Sequence, residues 1–289
     1  MTSTSTRTLI DAHTHLWRRD RTPQPWIDPT SMVEIDHDFW VSDLETAQAT
    51  TGSAGAIVVQ SANSLSESKD LLAASPSPSI LGVVGWVDLE ADVAAQVAEL
   101  RAAPGGELLV GIRHLAHQDA DPRWLGRATV GAGLDALGRL NLPFDLVLLP
   151  SQLELAADVV AEHGGTRFVL DHLGKPPIAS GSLTEWSRAV ARVAASHNVV
   201  AKLSGLTIEA AWNAWTVEDL RTPVARALDV FGPRRLLFGS DWPLVRLCGG
   251  YQAWLAAIRE LLSPLSDEDQ NAIFARNAAG AYALEASNA

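Results

Sequence analysis

The sequence has a single cysteine, Cys248, among 289 residues. A lone thiol closes no intrachain disulfide and builds no zinc-thiolate cluster, so a cysteine-stapled scaffold is excluded. Charge is sparse at 19% of residues, and cations are the minority, with 22 Lys and Arg against 34 Asp and Glu and a net charge of −12. No basic run is present that could follow a phosphate backbone, which argues against nucleic acid or an anionic membrane as a partner. No uninterrupted apolar run reaches the roughly 18 residues that a membrane-spanning helix needs. The opening MTSTSTRTLIDAH also lacks the apolar stretch of a secretory signal, so a soluble, cytoplasmic protein is expected. Gly-rich phosphate loops are missing, which excludes a nucleotide cofactor of the usual kind. A G-x-S-x-G elbow is missing too, so Ser204 and Ser240 do not read as hydrolase nucleophiles.

What is present is an alternation. Short β-branched apolar segments are separated by longer Ala, Leu, Glu and Arg-rich stretches of helical period, the pattern of parallel strands joined by crossover helices. Eight such strands can be read: TLIDAH (8–13), GAIVVQ (55–60), LGVVGWV (81–87), LLVGIRH (108–114), FDLVLL (144–149), RFVLDH (167–172), VVAKLSG (199–205) and RLLFGSD (235–241). One intervening helix is expected over 152–163, with Ser151 and Glu154 at capping-box spacing, and another after Ser266, ending near Asn277. Eight strands fit a closed α/β barrel, a (β/α)8 TIM barrel, better than an open doubly wound sheet. No repeat, Gly/Ser linker or charge block divides the chain, so residues 1–289 read as one domain. The stretch 16–39, broken by Pro23, Pro25 and Pro29, is a long loop after the first strand, expected over the mouth of the barrel.

The chemically able side chains fall at the C-terminal ends of these strands, which a barrel gathers on one face. His13 and His15 close the first strand, Arg113 and His114 the fourth, Asp171 and His172 the sixth, Lys202 and Ser204 lie on the seventh, and Ser240 and Asp241 close the eighth. Residues two apart on a strand point the same way, so His13 and His15 can approach one metal ion or one substrate atom together. A bare HxH is weak on its own. It gains weight from its place at the end of the first strand, because the strand carrying Asp241 is its neighbour in a closed barrel.

The ordered motifs IDAHTHLW, GWVDL, GIRH, FVLDHLGKPP, AKLSGL and LLFGSDWP resemble the motif series of the amidohydrolase-related (amidohydrolase 2) family of the amidohydrolase superfamily. The resemblance runs from about Leu9 to Tyr282 and is greatest to the branch of sugar-acid lactonases acting on fuconate-, rhamnonate- or galactonate-type lactones. It implies a hydrolase that opens an aldonolactone to the hydroxy acid. Binuclear members carry a bridging Lys or Glu on the fourth strand and a histidine on the fifth, where this chain has Arg113-His114 and Leu148-Leu149, so at most one divalent ion, zinc, is implied. His13, His15 and Asp241, assisted by His172, would hold it. The lactonase branch includes enzymes that work without a catalytic metal, so the same residues can equally form a metal-free hydrogen-bonding site.

On this reading Asp241 is the general base, and His172 and Arg113 polarise the carbonyl. Set against it, GSDWP is also good turn chemistry, and Arg113 could simply pair a strand-end acid such as Asp88. His13, His15, Lys202, Asn63, Trp26 and Trp215 are the expected substrate contacts, the tryptophans because indole faces stack on sugar-like rings. Ser61 and Gln60 are weaker candidates for hydroxyl binding, and His114 and His117 can face either pocket or solvent. His37, His163 and His197 carry no expected role. Another lactone, lactone isomerisation, metal-dependent decarboxylation, or a sugar-binding protein on a decayed barrel are the alternatives. A small-molecule sugar lactone is the expected partner, and a homo-oligomer is compatible with the sequence.

Overall fold

A computed structural model describes residues 8–74 and 76–284. The opening segment, read above as lacking a secretory signal, lies largely outside them. Eight parallel strands pair in chain order: β1 (Ile10–Thr14), β2 (Gly55–Val59), β3 (Ile80–Gly85), β4 (Leu109–His114), β5 (Phe144–Leu146), β6 (Phe168–Leu170), β7 (Val199–Leu203) and β8 (Leu236–Phe238). Past the end of β8 the sheet closes on itself, because Asp241 N–H donates to His13 C=O (2.9 Å) and His15 N–H donates to Trp242 C=O (2.7 Å). The helices α1 (Val41–Thr51), α2 (Leu65–Ala73), α3 (Val93–Arg101), α4 (Ala128–Arg139), α5 (Leu153–Glu162), α6 (Leu183–Ala194), α7 (Val217–Phe231) and α8 (Gly250–Leu262) follow the strands in turn. The expected (β/α)8 TIM barrel is the fold observed. No helix among the described residues is long and apolar enough to cross a membrane.

Local chemistry starts several helices: Ser64 Oγ accepts from Glu67 N–H (3.2 Å), and an Asp92 carboxylate oxygen accepts from Ala95 N–H (3.0 Å). The expected cap of α5 is different. Pro150, with its fixed φ, opens a 3₁₀ turn, so Gln152 rather than Glu154 reaches back, its Oε1 accepting from Leu149 N–H (2.8 Å). Glu154 instead pairs with Arg192 on the surface. The helical run expected after Ser266 is present, its Ser266 Oγ accepting from Asp269 N–H (3.2 Å), and it continues to Ala281.

Strands buried on both faces need continuous apolar runs, and β2 is buried at every position. Inside the barrel Ala12, Ile57, Val59, Val84, Val169 and Leu237 form a compact cluster, closed from the chain's C-terminal side by Tyr282. On β1 the register skips: Asp11 opposes Ala56 while Thr14 opposes Val58, three steps against two. Strict alternation would put Asp11 and His13 on one side. The irregularity separates them. Asp11 lies near Tyr251 of α8, and its Oδ1 accepts from Ser240 N–H (2.8 Å) and His13 N–H (3.1 Å), tying β1 to the loop after β8. His13 turns inward.

The loop 16–39 covers the mouth, as expected. Its ends are stapled by paired hydrogen bonds between Trp17 and Phe39 (2.9 and 3.0 Å), and Trp17, Phe39 and Trp242 pack edge to face.

Candidate active site

Beyond β5, β6 and β8 the chain leaves the ladder earlier than the apolar runs suggest, and these departures build the site. His172 and Leu173 (φ 52° and 53°) and Asp241 (φ 60°) adopt left-handed backbone, which for a non-glycine residue is held in place only by its surroundings. The result is a cavity of about 200 Å³ at the C-terminal end of the barrel, whose wall includes Trp26, Arg113, His15, His172, Lys175 and Asp241. A second cavity beside it shares Trp26 and Ser61 and adds Asn63.

At its base the polar side chains form one connected group. His15 Nδ1 donates to Val59 C=O (2.8 Å), which leaves Nε2 facing the site, 3.1 Å from His13 Nε2 and 3.4 Å from Asp241 Oδ1. His172 Nδ1 bonds Ser204 Oγ (2.9 Å), so Nε2 is its free nitrogen. Underneath, Lys202 Nζ reaches Asp145 Oδ2 (2.6 Å), Asp171 Oδ1 (2.9 Å) and His13 Nδ1 (3.1 Å), and Tyr282 O–H donates to Asp145 Oδ2 (2.7 Å). Arg113 NH1 bonds Asp171 Oδ2 (3.0 Å) and NH2 donates to Gln60 C=O.

Burial decides most of the protonation states. It lowers His13 and His172, against the pull of Asp171 on the one and of Asp241 and Asp171 on the other. Burial likewise pushes His117, on the cavity wall, down to about 3. For Asp241 burial acts upward, but the surrounding His172, His15 and His13 outweigh it and hold the carboxyl well below the usual range. Asp171 is also held low, because Lys202, His13 and Arg113 overcome its burial. Asp145 goes the other way: burial raises it to about 6 against the pull of Lys202, with the Asp171 charge adding to the rise.

His13, His172 and Asp241 offer ligand atoms all within 4.8 Å of one another, and Asp241 Oδ1 accepts no hydrogen bond among the described residues. Two imidazoles and a carboxylate with an orphaned oxygen suit one divalent ion. Two proton arrangements satisfy His13. In one, Lys202 donates to Nδ1 and His13 Nε2–H donates to His15. In the other, Nδ1–H donates to Asp171 Oδ1 (3.3 Å) and Nε2 is free to bind an ion.

The sequence model of the amidohydrolase family matches residues 10–284. The chain belongs to that family. Among known amidohydrolase relatives, it is 36% identical to an L-fucono-1,5-lactonase of Burkholderia ambifaria, covering 96% of each chain. It is 34% identical to an L-fucono-1,5-lactonase of Burkholderia multivorans, covering 95% of this chain and 96% of the relative. A crystal structure of an amidohydrolase from Burkholderia multivorans superposes with a TM-score of 0.90 at 32% identity, covering 96% of this chain and 99% of that one. That crystal contains bound zinc, and a second crystal form of the same target contains bound HEPES.

The amidohydrolase fold places His15, His172, Arg113, Asp241 and Trp26 on one cavity wall, whereas His13, also expected as a substrate contact, is fully buried behind His15 with its Nε2 3.1 Å from His15 Nε2. Lys202 is not at the cavity. Expected as a substrate contact, it is fully buried beneath His13, where it neutralises Asp145 and Asp171. Trp215 is not among the residues lining the cavity either; its indole N–H donates to Cys248 C=O (2.9 Å), which turns the ring away. Arg113 pairs Asp171 rather than Asp88. Asn63 lines the second cavity, its Oδ1 accepting from Leu115 N–H (2.9 Å). His114 stacks on Trp124 at 3.8 Å, while His163 pairs Asp135 (2.7 Å) far from the site.

Sequence reasoning assigned no role to Lys175, which lines the cavity and pairs Glu209 (2.6 Å), although it stands inside the FVLDHLGKPP motif. It also missed Gly205, with φ +63°, where a Cβ would lie 2.5 Å from His172 Nδ1 and 3.0 Å from Asp241 Oδ2. Gly205→Ala is therefore expected to displace His172 and lower kcat/KM by about 10²-fold, with a smaller fall in Tm; steady-state kinetics and thermal unfolding check it.

Proposed function

We propose that this amidohydrolase opens a sugar-acid lactone to the hydroxy acid, with Asp241 as general base. The observation that carries the reading is the Asp241 carboxylate itself: one oxygen accepts no hydrogen bond among the described residues, and it stands on the wall of a cavity that also presents Arg113, Lys175 and His172. The L-fucono-1,5-lactonases among its relatives supply the substrate class.

Ester hydrolysis needs a water deprotonated beside the carbonyl carbon and positive charge beside the carbonyl oxygen. Asp241 Oδ1 takes the water proton and returns it to the departing ring oxygen. With no ion bound, the Ser204 hydroxyl donates a hydrogen bond to His172 Nδ1, so the proton of the imidazole sits on Nε2 and donates to the developing oxyanion. One such donor contributes about 3 kcal/mol to the transition state. Arg113 is already tied to Asp171 and Gln60, and contributes fixed charge. Lys175 adds a second cation suited to the product carboxylate. Trp26 offers an indole face to the sugar ring. His13, His172 and Asp241 would hold a divalent ion, flanked by His15, and such an ion supplies Lewis-acid polarisation of the carbonyl.

The test is a pH-indicator assay on L-fucono-, L-rhamnono-, galactono- and xylono-lactones, run on metal-analysed protein before and after chelation. Proton release on one of them is the expected result. Release that survives chelation assigns the carbonyl to His172 and Arg113; release lost on chelation and restored by zinc assigns it to the ion. No release on any lactone by folded, zinc-supplied protein overturns the reading, and product mass then separates decarboxylation from isomerisation.

A further inference from the structure

A hydrogen-bond chain runs from the cavity mouth to a carboxylate buried behind it, and each link has one direction. The Trp26 indole N–H can only donate, and its partner is Gln24 Oε1 (2.7 Å). That fixes the Gln24 amide with Nε2 toward Ser61, where it donates to Oγ (2.7 Å). Glu67 on α2, 2% exposed, accepts from Ser61 N–H (3.1 Å) and Ala62 N–H (2.9 Å), and the Ser61 hydroxyl donates to its Oε1. The Ser61 proton is thus committed to Glu67 and one Oγ lone pair to Gln24. One lone pair remains, and Ser61 lines both cavities next to Trp26.

We propose that Ser61 is a specificity-determining acceptor, wired by Trp26, Gln24 and Glu67 so that it takes a hydrogen bond from a ring or side-chain hydroxyl of the sugar lactone and cannot donate one in return. The inference rests on the lactonase reading. A buried polar group built to meet a donor discriminates strongly against a substrate that offers only an acceptor, because two lone pairs are then forced together. The glutamate matters as much as the serine. Burial raises Glu67 to about 7, against the pull of the Ser61 and Ala62 donors, so the direction of the chain is best read at about pH 8, with the carboxylate ionised.

The experiment compares wild type, Ser61→Ala and Glu67→Gln on the lactone that is turned over and on its set of monodeoxyfluoro analogues, fluorine being an acceptor that cannot donate. Wild type is expected to lose about tenfold or more in kcat/KM on one fluoro analogue relative to the parent. In Ser61→Ala that ratio collapses toward one. In Glu67→Gln the new carbonyl serves the two backbone N–H groups and the new NH2 donates to Ser61, which frees the serine proton for the cavity. The same fluoro analogue then regains activity relative to the parent. A parent-to-fluoro ratio equal in all three proteins, whatever their Tm, overturns the proposal and leaves Ser61 a holder of the loop. If wild type opens lactones in that case, the lactonase reading stands alone; if it opens none, both readings fall.

Discussion

Asp241→Asn is expected to lower kcat by about 10³-fold while leaving Tm nearly unchanged. The substitution keeps the shape of the side chain and the Asp241 N–H bond to His13 C=O that closes the barrel (2.9 Å). What it removes is the ability to accept a proton from water, because an amide in this position is not a base. It also places an NH2 group where Oδ1 now faces the Nε2 atoms of His15 and His13 at 3.4 and 3.6 Å. On the proposed reading Trp26, Ser61 and the cations, none of them altered here, hold the substrate, so KM is expected to move far less than kcat. Indicator-assay kinetics beside a thermal melt check both halves. Full activity in a folded Asp241→Asn protein would show that the proton leaves water by another route.

Lys202→Met is expected to be strongly destabilising, costing about 3–5 kcal/mol. Lys202 is fully buried with its ammonium shared between Asp145 and Asp171, themselves without solvent access. A methionine of similar length refills the space but strands two carboxylates around one remaining cation, Arg113, which serves only Asp171. Asp145 then has no cation.

The penalty should depend on pH in a definite direction. The Asp145 carboxyl already sits at about 6 in the wild-type fold with Lys202 pulling it down, and removing that pull raises it further from the ordinary 3.8. An acid whose folded pKa lies above its unfolded value contributes stability at low pH and loses it as pH rises through the folded value. The Tm deficit of Lys202→Met should therefore shrink as pH falls from about 8 toward 5. A deficit constant across that range would mean that the lysine acts by packing alone. Because Lys202 also holds His13 Nδ1 at 3.1 Å, the variant should lose activity beyond its loss of folded protein.

Much of this architecture is written in the order of residues. The alternation of short apolar strands with helical stretches names the barrel, and a barrel places every strand's C-terminal end on one face. His13, His15, Arg113, His172 and Asp241 could be collected from the sequence for that reason alone, since position at a strand end is a local property. The stretch 16–39 was legible as a cover because prolines exclude it from either regular period.

What the sequence did not reveal depends on partners distant along the chain. Lys202 and Lys175 both stand near strand ends in family-like motifs, yet the first is turned into the barrel beneath the histidines and the second into the cavity. The phase of the strand, and the register that sets Asp145 and Asp171 beside it, decide this. Asp145 looks like an acid interrupting an apolar strand until Lys202, 57 positions later, is brought to 2.6 Å. Trp215 and Trp26 are equivalent as loop tryptophans, and only the acceptors each indole finds, Cys248 C=O and Gln24 Oε1, set one ring against the core and the other over the site. Likewise the β1 irregularity that turns His13 inward while Asp11 faces α8 leaves no trace in the alternation of residues. The sequence by itself determined the barrel, the strand-end chemistry and the family, because periodicity and motif order are short-range. Only the tertiary structure decided which charges neutralise each other and which face the substrate, because burial and hydrogen-bond direction are set by the closing of the sheet.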